Sequence, residues 1–143
     1  MAKKTKAAKK TTKATPKKRA DINVLVVDDE KNLTLAMRRL LSAEGYRAET
    51  AGSGDEAVEI VKETAFDIIF LDVNMPDMNG LETFKKLNKV SPDSSVVMIT
   101  GYGKTLKELV EEARALGVHS VIDKPFKITQ ITQAIHDLVP HAD

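Results

Sequence analysis

From residue 21 onward the chain alternates short apolar blocks with stretches in which apolar residues return every third or fourth position. The blocks suit strands that meet no water on either face, and the longer period suits helices with one buried stripe. Val24 to Val27 predicts a first strand. Glu30 to Glu44 follows as a helix with Leu33, Met37, Leu40 and Leu41 on one stripe, closed by Gly45. Tyr46 to Ala51 alternates, which predicts a second and more exposed strand. Ser53 then caps a helix whose apolar face is Ala57, Val58, Val61 and Ala65, and Glu56 three residues on completes a capping box. Phe66 to Leu71 is the third strand, and its last four residues, Ile68 to Leu71, are apolar without a break.

The second half repeats the scheme. Leu81, Phe84, Leu87 and Val90 mark a helix that stops before Ser91 and Pro92, and Val96 to Ile99 predicts a strand ending at Thr100. Gly101 and Gly103 open a turn. Leu106, Leu109, Val110, Ala113 and Leu116 form the next helical stripe, closed by Gly117. Val118 to Ile122 is a fifth strand, and Ile128, Ile131, Ile135 and Leu138 mark the last helix. Strands alternating with helices predict an α/β fold with a parallel sheet between two helical layers.

Polar residues stop these strands, and their chemistry matches. Asp28, Asp29 and Glu30 follow the first, Asp72 the third, Thr100 the fourth, and Asp123, Lys124 and Pro125 the fifth. In a parallel sheet such ends share one edge, the edge where open α/β folds bind ligands. Carboxylates brought together there repel and raise one another's pKa unless a cation sits among them. Carboxylates, one hydroxyl and one ammonium suit a magnesium ion and a phosphoryl group. Taken singly, each residue also has an ordinary reading. Asp72 could cap a helix, Thr100 could close a turn, Lys124 could be a solvated surface lysine, and Asn79-Gly80 could be only a turn. Glu30 fits the start of the first helix, through the helix dipole, better than a metal. His119, His136 and His141 have no spacing that suggests a site.

Composition narrows the class. The chain has 143 residues, enough for one domain with a core. It has no cysteine, which excludes disulfides, zinc thiolates and cysteine nucleophiles and fits a reducing cytoplasm. No apolar run reaches the length of a membrane span, so a cytoplasmic protein is expected. The net charge of +1 hides an asymmetry. Residues 1–20 hold nine basic residues and no acid, which leaves 13 basic against 21 acidic residues, a net of −8, in the remainder. The expected organisation is a disordered, Lys-rich basic arm over 1–20 and one acidic domain over 21–143. The arm reads as a solubilising leader, as a nonspecific contact for nucleic acid phosphates, or as a targeting segment, the last weakened by its scarcity of Arg and Ser.

Asp28-Asp29-Glu30 after a strand, Asp72 followed by Asn74-Met75-Pro76 and Asn79-Gly80, Thr100-Gly101, and Lys124-Pro125-Phe126 resemble the receiver domain of two-component response regulators. The resemblance runs from Ile22 to about Leu138. It implies a flavodoxin-like (βα)5 doubly wound sheet of five parallel strands in the order 2-1-3-4-5. It implies that Asp72 is the phosphoacceptor, taking a phosphoryl group from a histidine kinase or histidine phosphotransfer protein. Asp28, Asp29, Asp72 and the backbone carbonyl of Asn74 would hold Mg2+, Asp28 mostly through water. Thr100 and Lys124 would contact phosphoryl oxygens, and Lys124-Pro125 would be a cis peptide. A domain of this kind signals in the cytoplasm through a downstream protein target and catalyses only its own phosphorylation and dephosphorylation.

The sequence departs from the family in two places. Val121 stands where the family usually has a Tyr or Phe that rotates inward when the threonine moves. The 24 positions from Thr100 to Lys124 exceed the usual spacing by about two. The expectation is a switch that works through the Gly101 to Lys107 loop, with Tyr102 taking part. After the last helix only Pro140 to Asp143 remain, so a stand-alone receiver is expected, with the basic arm as a nucleic-acid tether as the alternative. An aspartyl-nucleophile Mg2+ phosphatase is a lesser alternative, because it needs an acid two residues after the nucleophile and Asn74 stands there. A purely structural α/β binding module is the remaining class.

Overall fold

The computed structural model describes residues 17–74, 80–101 and 106–140, with the backbone alone for 106–110. Its strands are β1 (Asn23–Val27), β2 (Arg47–Ala51), β3 (Ile68–Asp72), β4 (Ser95–Thr100) and β5 (Ser120–Asp123). The helices that follow them are α1 (Lys31–Ala43), α2 (Gly54–Glu63), α3 (Gly80–Val90), α4 (Leu106–Ala115) and α5 (Ile128–Leu138). All four strand pairings are parallel and the sheet order is β2-β1-β3-β4-β5, the order that the resemblance implied.

The apolar blocks explain that order. Every residue of β3 and β4 is buried, and so are four of the five in β1, so these three strands take the centre. The edge strands β2 and β5 are mixed. Side chains alternate between the faces. Val24, Val26, Ile68, Phe70, Val97 and Ile99 join Met37 and Leu41 of α1 and Ile131 and Ile135 of α5. Leu25, Val27, Ile69, Leu71, Val96 and Met98 join Ala57 and Val61 of α2, Phe84 and Leu87 of α3 and Ala113 of α4. Each fully buried Leu, Ile or Phe contributes about 1.5–3 kcal/mol of transfer free energy.

Two helices end on the glycines that the sequence placed there. Gly45 takes φ +101° and Gly117 takes φ +102°. Gly45 N–H donates to Ser42 O and Tyr46 N–H to Leu41 O, while Gly117 N–H donates to Arg114 O and Val118 N–H to Ala113 O. Both are the paired bonds of a Schellman ending, and each has its apolar contact partners in one cluster, Tyr46 with Leu41 and Val118 with Ala113.

Several expectations are corrected in detail. Leu40 is 47% exposed and lies off the α1 stripe, whose buried residues are Thr34, Met37 and Leu41. Val90 is exposed at the end of α3, and Ala65 is exposed beyond the end of α2. Phe66 and Val118 are buried but precede their strands. The capping box at α2 is displaced: Ser53 Oγ accepts Glu56 N–H at 3.1 Å, but Glu56 Oε1 accepts the N–H of Gly52, at 2.7 Å, not that of Ser53.

Residues 1–16 of the basic arm lie outside the described residues. Lys17 and Arg19 bond to the domain. Lys17 Nζ pairs with Asp67 Oδ1 at 2.9 Å, Lys17 N–H donates to Pro140 O at 3.1 Å, and Arg19 sits over the Tyr46 ring at 5.5 Å. Asp67 also accepts the Asn23 N–H, so these contacts gather where β1 and β3 begin. That is the end of the sheet opposite Asp28 and Asp72. Among the described residues no helix is long and apolar enough to cross a membrane.

Candidate functional site

Because the strands are parallel, β1 and β3 finish side by side, with Val27 paired to Leu71 and an aspartate next in each chain direction. Asp28 and Asp72 are 4% and 2% exposed, whereas Asp29 is exposed. One carboxylate oxygen from each of Asp28, Asp29 and Asp72 lies within 4.8 Å of the others. Backbone bonds orient the two buried acids. Asp28 Oδ1 accepts Glu30 N–H at 2.9 Å, and Asp72 Oδ1 accepts Asn74 N–H at 3.0 Å. Glu30 occupies the N-cap position of α1 without a side-chain cap bond.

Lys124, one residue beyond β5, brings the ammonium. Its Nζ is 3.1 Å from Asp28 Oδ2 and 3.5 Å from Asp72 Oδ2, its N–H donates to Thr100 O at 2.7 Å, and the Lys124-Pro125 peptide is cis. Burial pushes the Asp72 carboxyl above its ordinary value of 3.8, and the charge of Asp28 adds to this. The Asn74 N–H and Lys124 oppose the rise without cancelling it. Burial works against the Lys124 charge, but the bond to Asp28 and the fields of Asp72 and Asp28 hold it above its ordinary 10.5.

Thr100 ends β4 at 2% exposure, with Oγ1 donating to Asp123 Oδ1 at 3.3 Å. Asn74 links two loops: its N–H meets Asp72, and its Oδ1 accepts Gly101 N–H at 2.6 Å. The sequence expectations give the Asn74 side chain no bonding role and give Asp123 none beyond ending a strand. Asp123 stands out only once the strand pairing is known, because the register of β4 and β5 sets it opposite Thr100. A cleft of about 550 Å³ opens beside Asp28 and Asp29 between the start of α1 and the loop before α2, with Lys31, Ser53 and Glu56 among its walls. Met75, Pro76, Asp77, Asn79, Tyr102 and Gly103, which the sequence reading singled out, lie outside the described residues.

Asp28, Asp29 and Asp72 each offer a carboxylate oxygen here, a donor set that suits a hard divalent cation. Burial is the main cause of the raised Asp72 carboxyl, with the nearby Asp28 charge adding to it, and a cation held among the acids would offset that second contribution. The residues therefore fit magnesium.

A doubly wound parallel sheet with an acidic pocket at its carboxyl edge defines the class. Comparison with known proteins narrows it. The response regulator receiver domain model matches residues 24–136. Sporulation initiation phosphotransferase F of Bacillus subtilis is 29% identical over 82% of this chain and 93% of its own. Chemotaxis protein CheY of Thermotoga maritima is 32% identical over 79% of this chain and 93% of its own. Among solved structures, chemotaxis protein CheY4 of Vibrio cholerae superposes with a TM-score of 0.74 at 29% identity, covering 82% of this chain and 98% of that one. The response regulator TrrA of Thermotoga maritima, solved in complex with Mg(2+)-BeF, gives 0.71 at 28%, covering 82% and 99%. The chain belongs to the response regulator receiver domain family of two-component systems, a family of signalling domains.

Proposed function

We propose that this receiver accepts a phosphoryl group on Asp72 from a phosphohistidine of a histidine kinase or phosphotransfer protein, in the cytoplasm, and signals through a partner protein. The observation that carries this reading is the meeting of three carboxylates with one ammonium at the edge of the sheet. A carboxylate oxygen of Asp72 attacks phosphorus, the bond from phosphorus to the donor imidazole nitrogen breaks, and the electron pair leaves with that nitrogen. Asp28, Asp29, Asp72 and the carbonyl of Asn74 would hold Mg2+, which when bound neutralises charge on the phosphoryl oxygens. Lys124 supplies a fixed positive charge for those oxygens, and Thr100 a hydroxyl donor. Such transfer depends on charge neutralisation and in-line positioning more than on elaborate covalent chemistry. Beyond its own phosphorylation and dephosphorylation the domain catalyses nothing in this reading.

Incubation with a small acyl-phosphate donor tests it. The expected result is one acid-stable, base-labile phosphate per chain that requires Mg2+ and is absent in Asp72→Asn. Turnover of many equivalents of donor would instead favour a phosphatase. Failure of Asp72→Asn to abolish labelling would sink the assignment.

A second reading adds a nucleic-acid contact through residues 1–20. The contacts of Lys17 with Asp67 and Pro140 favour it, because they fix the point where the arm joins the domain at the end of the sheet away from the acidic edge. Salt-sensitive DNA retention lost on deleting residues 1–16 is its expected signature.

A further inference from the structure

Thr100 and Asp123 are register partners of β4 and β5, so their side chains leave the same face of the sheet, two residues beyond the Met98 and Val121 pair. Thr100 Oγ1 is buried and donates to the exposed carboxylate of Asp123 at 3.3 Å. A hydroxyl has one proton to give. While Asp123 accepts it, no oxygen near Asp72 can. The separation exceeds the ordinary O–H···O range, so this bond is weak and readily exchanged for a better acceptor. Val121, the other residue of β5 on this face, has no polar atom with which to follow the hydroxyl.

We propose that Asp123 is a positioning residue that holds Thr100 in its resting state, a latch that a phosphoryl group on Asp72 must displace. The inference rests on the reading of Asp72 as phosphoacceptor. Before phosphorylation the Thr100 proton is committed to Asp123. Afterwards the hydroxyl turns to a phosphoryl oxygen, and the Asp123 carboxylate is released to solvent at the edge formed by β5. Phosphorylation thereby frees a hydrogen-bond acceptor on an exposed carboxylate at that edge without an aromatic side chain.

Two measurements on the full chain test this. The first needs no metal: methyl NMR couplings report the Thr100 rotamer in wild type, Asp123→Ala and Asp123→Asn. The expected result is a redistributed rotamer in Asp123→Ala and a wild-type one in Asp123→Asn, which keeps an acceptor oxygen while losing the charge. The second is titration with Mg2+ and beryllofluoride, a stand-in for the phosphoryl group. Asp123→Ala should bind about fivefold tighter, the worth of one net hydrogen bond, and Asp123→Asn should change less than about twofold. In a Thr100→Ala background, Asp123→Ala should give no tightening. An unmoved Thr100 rotamer in Asp123→Ala overturns the latch. So does equal tightening in Asp123→Asn or in the Thr100→Ala background, which would make the effect one of charge alone. A folded wild type that takes up no beryllofluoride overturns the phosphoacceptor reading and the latch together, whereas normal uptake with an unresponsive Thr100 overturns the latch alone.

Discussion

Lys124 Nζ lies 3.1 Å from Asp28 Oδ2, an ion pair that joins the ends of β5 and β1 although β3 and β4 stand between them in the sheet. The lysine reaches across the rim and passes Asp72 on the way, 3.5 Å from its Oδ2. One side chain thus balances two buried acids from separate strands.

Replacing that lysine should expose the balance. The Lys124 side chain is 24% exposed and that of Asp28 4%, so the pair is only partly solvated. Lys124→Met should destabilise the metal-free protein by about 1–3 kcal/mol in urea, below the full cost of a fully buried charge left unpaired. Its Mg2+ affinity should rise severalfold, because the ammonium no longer competes for the carboxylates, while its affinity for beryllofluoride falls. An unchanged urea midpoint would show that the pair contributes nothing to the fold.

Asp72 sets a pH dependence with a definite sign. Its folded pKa lies above 3.8, so between those two values the native state holds more protons than the unfolded one. Its contribution to stability is therefore fully present below 3.8 and is lost as pH rises through the raised folded value. Metal-free Asp72→Asn should lack this decline, and by neutral pH it should be more stable than wild type. Urea titrations of both proteins from pH 4 to pH 7 measure the difference; parallel curves would refute it.

Gly80 is fixed by a close approach. A Cβ there would come 2.5 Å from Val73 Cβ and 2.6 Å from Val73 Cα. Gly80→Ala should cost about 1–3 kcal/mol through overpacking, despite the better helix propensity of alanine. Because one of the clashing atoms is backbone, adding Val73→Gly should recover only part of the loss. Full recovery would place the clash in the side chain alone.

The start of α2 rests on two bonds, Ser53 Oγ to Glu56 N and Glu56 Oε1 to Gly52 N. Ser53→Ala and Glu56→Ala should each cost about 1 kcal/mol, and the double variant less than the sum, since each bond holds the other's partner in place. Strict additivity in denaturant unfolding would mean that the bonds are independent.

Much of this was legible in the chain. The apolar blocks of β1, β3 and β4 have no polar interruption, so a two-faced core followed directly, and Gly45 and Gly117 marked helix ends that only glycine accommodates without strain. Asp28, Asp29, Asp72, Thr100 and Lys124 could be named because strand ends in a parallel sheet share an edge. Periodicity erred at helix margins: Leu40 and Val90 fit their stripes by spacing, yet each is exposed, since a three-to-four spacing does not fix how wide a stripe the sheet covers. The Glu56 bond to Gly52 and the Asn74 bond to Gly101 were invisible, because sequence spacing specifies neither rotamers nor which of two adjacent amides a side chain meets. The strand order came from the resemblance, as periodicity carries no information about which strands are neighbours.

The bond from Lys17 N–H to Pro140 O places the first and last described residues at one pole, away from Asp72. With residues 1–16 and 141–143 removed, a short covalent linker between those two positions would close the polypeptide into a ring with little rearrangement. New ends could then be opened in an exposed turn elsewhere, and a fluorophore or surface anchor attached at the original pole would leave access to the acidic rim unobstructed.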